Sequence, residues 1–115
     1  MGKFFTSEKI QNINVIRFTF NEINLAQREE LKNELNETMI ADGKKFIIDL
    51  SKVGFVSSLV LATLVFFAKE VKQKGGNLKL AGVSSEAYSV FQLTQLDKVF
   101  EIHDTEQAAI ESFKD

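Results

Sequence analysis

The chain contains no cysteine, no proline and no tryptophan among its 115 residues. The absence of cysteine excludes thiol catalysis, disulfides and cysteine-ligated metal sites. No proline, Ser/Gly-rich segment or internal repeat marks a domain boundary. A chain of this length buries enough apolar surface to fold without a disulfide or a structural metal. We therefore expect residues 1–115 to form a single domain.

An excess of charge of either sign is also missing, because 14 Lys and Arg residues stand against 16 Asp and Glu residues, and the two signs are interspersed. This balance argues against a nucleic-acid partner. The longest apolar run, residues 53–68, is interrupted by polar side chains and falls short of the roughly 20 residues that span a bilayer, so we expect no membrane insertion. Residues 1–8 lack the apolar segment of a signal peptide, which predicts a cytoplasmic protein.

Hydrophobic periodicity and turn residues predict an alternation of strands and helices. Strands are predicted over 3–10, 12–20, 46–50, 78–83 and 99–102, with a turn at Gln11-Asn12 between the first two. Helices are predicted over 25–41, 57–74 and 84–94, the first of them closed by Asp42-Gly43, and a final helix is capped by Asp104. The order β-β-α-β-α-β-α-β-α predicts an α/β fold with a mixed, mostly parallel sheet of about five strands and four helices.

The helix over 57–74 has apolar residues on more than one side. Its helical spacing predicts a stripe against the sheet, formed by Leu61, Leu64, Val65, Ala68 and Val71. Leu59, Thr63 and Phe66 are then expected on the opposite face, with Val60 and Phe67 along one flank. We expect this outer face to contact a partner, and its burial under the third helix or the chain ends is the alternative.

Residues suited to catalysis are few. The single histidine, His103, is expected to be a capping or surface residue, and Gly75-Gly76 fits a helix stop because the spacings of phosphate-binding glycine loops are missing. The lysines at 69, 72, 74 and 79 are expected to form a solvated face. No acid–base pair, metal set or activated nucleophile can be assembled, so we expect no enzyme, metal or cofactor.

A serine pair, Ser57-Ser58, stands between an apolar strand end and an apolar helix. The first turn of a helix has unpaired N–H groups and the positive end of the dipole. One serine can cap the helix, and a phosphate on the other would be held by the same N–H groups.

Three blocks of the sequence resemble the STAS domain family, whose best-studied soluble members are bacterial anti-sigma factor antagonists. Residues 49–58, DLSKVGFVSS, resemble the strand that leads into the family's D-S-[ST]-G-[LVM] signature. Residues 75–84, GGNLKLAGVS, resemble the next strand, and residues 91–100 resemble the segment written L-x-x-T-G-L-D. The resemblance covers nearly the whole chain and implies a STAS-like fold.

The resemblance implies a regulatory switch. In such antagonists the unphosphorylated form binds a serine kinase that is also an anti-sigma factor, and phosphorylation of the signature serine ends the binding. Ser58 occupies that position, with Ser57 as the second choice. The implied partner-binding residues are Asn24, Ser57, Ser58, Leu59, Val60, Thr63, Phe66 and Phe67.

The signature is altered at several positions. Ser57 stands where the family usually has Asp, Leu59 where it has Ser or Thr, Val60 where it has Gly, and Asn24 where many members have Asp. The alternatives to a phosphorylation switch are a constitutive STAS interaction or scaffold module, such as a transporter-complex subunit, and a nucleotide-binding STAS domain. A homodimer formed through the apolar helix face also stays open.

Overall fold

The structure, a computed structural model, describes residues 4–42 and 44–114 of the chain. Within these residues lie five strands, β1 (Phe5–Ile10), β2 (Ile13–Phe18), β3 (Lys45–Asp49), β4 (Asn77–Ala81) and β5 (Glu101–His103). The helices are α1 (Leu25–Asp42), α2 (Ser58–Gln73), α3 (Ser85–Leu93) and α4 (Glu106–Ser112), with a 3-10 helix at Leu96–Lys98. The predicted α/β fold and element order are confirmed, while the predicted ends at Lys3 and Gly43 lie outside the described residues.

The sheet has the strand order β1-β2-β3-β4-β5. Only the β1–β2 pair is antiparallel, and β2 to β5 run parallel. The predicted turn at Gln11 and Asn12 is confirmed, with φ angles of 52° and 69° that suit a two-residue hairpin turn. Parallel strands all end at one edge of the sheet, which we call the carboxyl edge, and begin at the opposite amino edge.

Helices cover both faces of the sheet. Apolar residues of α1, α2 and α3 share one buried cluster with Phe46, Ile48 and Leu80 of the central strands. A smaller cluster joins Ala109 and Ile110 of α4 to the other face. The inward stripe of α1 consists of Leu31, Leu35 and Met39, which recur every four residues and are all buried. No helix of residues 4–42 and 44–114 is long and apolar enough to cross a bilayer.

The inward face of α2 differs from the predicted one. The most deeply buried apolar residues of α2 are Val60, Leu64, Phe67 and Val71, spaced four, three and four apart. Phe67 meets Phe46 of β3 edge to face, with ring centroids 5.3 Å apart. The prediction of the inward stripe is right for Leu61, Leu64 and Val71, which are buried, whereas Val65 and Ala68 are only partly buried against the core. The predicted flank residues Val60 and Phe67 belong to the inward face instead.

A second side of α2 is covered by α1. Thr63 was expected outside but is fully buried, and its hydroxyl donates to the carbonyl oxygen of Leu59 at 2.8 Å. Lys32 of α1 places its ammonium 4.3 Å from the centroid of the Phe66 ring. The helix appeared apolar on several sides because it packs against both the sheet and a neighbouring helix.

The end of the chain departs from the prediction in two places. Val99 and Phe100 were expected in the last strand, but their N–H groups both bond to the carbonyl of Leu96 and close the turn that follows the 3-10 helix, so β5 begins at Glu101. The cap of α4 is Thr105 rather than Asp104, because the Thr105 hydroxyl accepts from the N–H of Ala108 at 3.1 Å.

Lys79 was expected in a solvated face, and this is wrong. Only 4% of the residue is exposed, because it points from β4 towards α4. Its ammonium donates to the carbonyl and hydroxyl oxygens of Ser112, at 3.0 and 2.7 Å, and pairs with Glu101 at 3.1 Å. The buried charge is thus fully hydrogen-bonded and holds the end of α4 on the sheet.

Gln95 provides a test of backbone strain. Its φ of 61° lies in the left-handed region, which side chains with a β-carbon disfavour by roughly 1–2 kcal/mol. Because glycine adopts this conformation freely, we expect Gln95→Gly to raise the free energy of unfolding by about 0.5–1 kcal/mol in urea titrations. The control Gln92→Gly, within α3, should lower it by about 1 kcal/mol. Equal losses in both variants would contradict this assignment.

Glu101 provides a test of pH dependence. Burial acts to raise the pKa of Glu101, but hydrogen bonds from His103 and Lys79 outweigh it and lower that pKa. A carboxylate with a depressed folded-state pKa stabilises the fold above its unfolded pKa of about 4.3, and this stabilisation is lost as the pH falls through the folded pKa.

We therefore expect Glu101→Gln to lower the free energy of unfolding at pH 7 and to flatten its decline between about pH 5 and pH 3. Urea titrations at several pH values measure both effects. Glu37→Gln, an exposed change on α1, is the control and should keep the wild-type slope. Parallel pH profiles for all three proteins would rule out the assigned role of Glu101.

Candidate functional site

The starts of α1 and α2 are held together at the carboxyl edge. The loop after β2 meets the loop after β3 where the N–H of Gly54 donates to Oδ1 of Asn21 at 2.8 Å. The Asn21 side chain leaves no room for a β-carbon at Gly54, so this contact requires glycine. The chain segments on either side of this bond carry the residues that the sequence analysis singled out.

Ser57 is the N-cap of α2. Its backbone is extended, with φ −80° and ψ 171°, and its hydroxyl oxygen accepts from the N–H of Val60 at 3.3 Å. Its carbonyl oxygen accepts from the N–H of Leu61 at 2.9 Å. The hydroxyl satisfies an N–H group that the first turn would otherwise leave unpaired, and the carbonyl accepts the first hydrogen bond within the helix, so Ser57 has a structural role.

Ser58 is the first residue of α2, and its side chain faces solvent. Across residues 4–42 and 44–114, neither its hydroxyl nor the N–H groups of Ser58 and Leu59 have a hydrogen-bond partner. The hydroxyl is therefore accessible for modification, at a helix end whose free N–H groups favour an anion.

Asn24 lies at the same edge and caps α1. Its Oδ1 accepts from the N–H of Gln27 at 2.8 Å, and Oε1 of Gln27 accepts from the N–H of Asn24 at 3.0 Å. This reciprocal pair is a capping box. Asn24 is exposed, but its amide oxygen is occupied by the cap, which limits what the side chain can offer a partner.

Three of the predicted contact residues cannot meet a partner in this fold. Val60 and Thr63 are fully buried and Phe67 is 1% exposed, because the sheet and α1 cover the sides of α2 that carry them. Leu59 and Phe66 are half-buried, Leu59 against the main core and Phe66 beneath Lys32. The prediction that α2 exposes a continuous outer apolar face is therefore wrong.

Two exposed apolar residues at the carboxyl edge were missed. Leu25 at the start of α1 is 63% exposed, and Phe55 in the loop before α2 is 61% exposed. The available signal was that Leu25 falls outside the four-residue spacing of Leu31 and Leu35, and that Phe55 precedes a helix cap. We name the set Asn24, Leu25, Phe55 and Ser58 the carboxyl-edge surface.

Two polar side chains away from this edge, those of His103 and Ser112, make contacts within the fold. His103 contacts Glu101 through Nε2 and Oε2, 2.7 Å apart. The Ser112 hydroxyl accepts from Lys79 and donates to the carbonyl of Ala109 at 2.7 Å, so it is engaged in ending α4. Residues 4–42 and 44–114 contain no group of three His, Asp or Glu side chains arranged to hold a metal ion.

Stability measurements can separate the two serines. Ser57→Ala removes the cap of α2 and should lower the free energy of unfolding by about 1 kcal/mol. Ser58→Ala removes an unpartnered hydroxyl and introduces a better helix former, so we expect a change within about 0.5 kcal/mol of zero. A loss of equal size in both variants, measured by urea denaturation, would show that Ser58 also holds the fold.

Comparisons with known proteins agree with this architecture. Residues 5–109, from β1 into α4, match the profile of the STAS domain. The anti-sigma-B factor antagonist of Listeria monocytogenes is 28% identical over 89 residues, which cover 77% of this chain and 78% of that protein. An anti-sigma-factor antagonist (STAS) domain protein from Planctomyces limnophilus has a solved structure that superimposes with a TM-score of 0.82 at 27% identity, covering 94% of this chain and 96% of that one.

The Bacillus protein SpoIIAA, solved in its phosphorylated form, has the same fold. It superimposes with a TM-score of 0.72 at 20% identity, covering 96% of this chain and 99% of that one. Because the matched residues include every strand and the relatives share the arrangement of the sheet, the chain belongs to the STAS domain family.

Proposed function

We propose that this protein is an anti-sigma factor antagonist that binds a serine-kinase anti-sigma factor through the carboxyl-edge surface, and that phosphorylation of Ser58 ends the binding. The observation that carries the proposal is the free, exposed hydroxyl of Ser58 at the start of α2, close in the chain to the exposed Phe55. The relatives of this chain include a protein named for antagonising an anti-sigma factor. The proposed partner acts in the bacterial cytoplasm, and the antagonist is a binding protein rather than an enzyme.

The apolar part of the surface supplies the affinity. Phe55 and Leu25 each expose more than 60% of their surface, at loops that the Asn21–Gly54 hydrogen bond holds together. Fully burying a side chain of this size stabilises a complex by about 1.5–3 kcal/mol. Exposed aromatic residues that become buried in a partner's pocket are common centres of binding energy.

A phosphate on Ser58 acts against such a complex. It adds a charge of about −1.5 to −2 beside apolar residues that a partner must cover. In the free domain the phosphate is solvated and lies at the unpaired N–H groups of Ser58 and Leu59. In the complex it loses water, and the desolvation cost weakens binding.

The altered signature is compatible with this mechanism. Val60, where the family has glycine, points into the core and is fully buried, so its side chain adds no bulk to the binding surface. Asn24 and Ser57, where acidic residues are usual, bring no negative charge that would repel a phosphate on Ser58.

The binding experiment uses each purified serine-kinase anti-sigma factor of the source organism, titrated into the protein in a calorimeter. We expect Phe55→Ser to weaken binding at least tenfold, because it removes the exposed aromatic side chain. Val99→Ser is the matched control, since Val99 is 65% exposed at the amino edge, and it should leave the Kd within twofold. Ser58→Glu should weaken binding in the same way as phosphorylation.

Incubation of these proteins with labelled ATP tests the switch. Label should enter wild type and Ser57→Ala but not Ser58→Ala. If Phe55→Ser abolishes binding but Ser58→Glu leaves it unchanged, the protein is a constitutive interaction module and not a phosphorylation switch. Heat on adding ATP or GTP to the protein alone, with no binding to any anti-sigma factor, would favour the nucleotide-binding alternative.

A further inference from the structure

A small apolar cleft lies at the amino edge, opposite the carboxyl-edge surface. One wall is the C-terminal half of α2, with Val65 and Ala68, and the floor includes Leu78 at the start of β4. Val99 and Phe100 form the other wall, where the chain turns from the 3-10 helix into β5. Val99 is 65% exposed although it adjoins this apolar lining. We name this feature the amino-edge cleft.

The size of the amino-edge cleft restricts what can occupy it. Its volume is about 120 Å³. Sites for nucleotides and other drug-sized ligands usually have about 300–1,000 Å³, whereas a cavity of about 150 Å³ holds one benzene-sized group. The cleft therefore accommodates a single apolar side chain.

The charges beside the cleft restrict the occupant further. Lys69 and Lys72 of α2 line it, are exposed, and form no ion pair with any carboxylate of the described residues. By contrast, Lys32, Lys79 and Lys114 each pair with a glutamate. The helix dipole accounts for Lys72 in the last turn of α2, but Lys69 lies before that turn.

More positive charge lies along the same edge. Lys44, next to the start of β3, donates from its ammonium to the carbonyl oxygen of Lys74 at 3.1 Å. The whole chain has a formal net charge of −2, which makes this group of cations a local excess. An occupant with acidic residues beside its apolar side chain would complement both the cleft and its rim.

We propose that the amino-edge cleft is a second docking site, which binds one apolar side chain of a partner protein segment that carries acidic residues on both sides of it. This goes beyond the function proposed above, because the site is at the other end of α2 from Ser58. The α2 residues that line the cleft run from Val65 to Lys72, which lie about 10–21 Å from Ser58 along the helix axis. The protein can therefore hold the second partner whatever the state of Ser58.

The test titrates the peptide acetyl-Glu-Glu-Leu-Glu-Glu-amide into the isotopically labelled protein at low salt and follows amide shifts by NMR. We expect shifts at residues lining the cleft and none at Ser58 or Phe55. Replacing the central leucine of the peptide with serine should abolish the shifts. In the protein, Val99→Ser should weaken binding about fivefold, and the double change Lys69→Gln with Lys72→Gln by a similar factor.

Controls of equal chemistry are available at distant positions. Phe55→Ser matches Val99→Ser, and Lys52→Gln with Lys114→Gln matches the double lysine change; both should bind the peptide as wild type does. Ser58→Glu should also bind normally, so failure of this proposal and failure of the phosphorylation switch give different results.

Three outcomes would overturn the proposal. The first is an absence of shifts at several millimolar peptide, and the second is equal binding of the serine-containing peptide. The third is that the protein binds no peptide but sediments with phosphatidylglycerol vesicles, and that the double lysine change abolishes this sedimentation. That result would show that the lysines bind a lipid surface.

Discussion

The packing of α2 across β3 is the contact on which both ends of the molecule depend. Phe67 meets Phe46 edge to face, and Val60, Leu64 and Val71 extend the buried row along the helix. Because a helix is stiff over this length, fixing its middle also fixes its ends. The same contact holds Ser58 at the carboxyl edge and Lys69 and Lys72 beside the cleft at the amino edge.

The order of the elements could be predicted because each is marked locally. The hairpin turn at Gln11-Asn12, the serine pair before the apolar helix and the glycine stop at Gly75-Gly76 are all signals within a few residues. The face of α2 could not be predicted in the same way, because periodicity identifies a buried side only when the other sides are polar. Thr63 was predicted on the wrong side for this reason. Its hydroxyl donates a hydrogen bond to the carbonyl oxygen of Leu59 in the same helix, and this bond allows the polar side chain to be buried beside α1.

The candidate site was predicted only in part. The serine pair marks the start of α2, but the sequence cannot say which hydroxyl is used by the cap, since either serine has the required chemistry. The structure separates them, because Ser57 has the extended backbone of a cap and Ser58 is already helical. Phe55 and Leu25 gave no periodic signal, since the exposure of an isolated apolar residue in a loop or at a helix end depends on which other segments cover it.

The altered signature affects the core and the proposed binding surface differently. A glycine position in the first turn of α2 is taken by Val60, and the added side chain enters the core instead of the surface. Asn24 keeps the geometry of the edge by capping α1 without contributing a charge. The carboxyl-edge surface then exposes the apolar Phe55 and Leu25 together with Ser58. Ser58 is neutral when unmodified and would be negatively charged when phosphorylated. In the proposed function, this surface binds an apolar partner when Ser58 is unmodified and stays solvated when Ser58 carries a phosphate, and this difference in environment is what a phosphorylation switch requires.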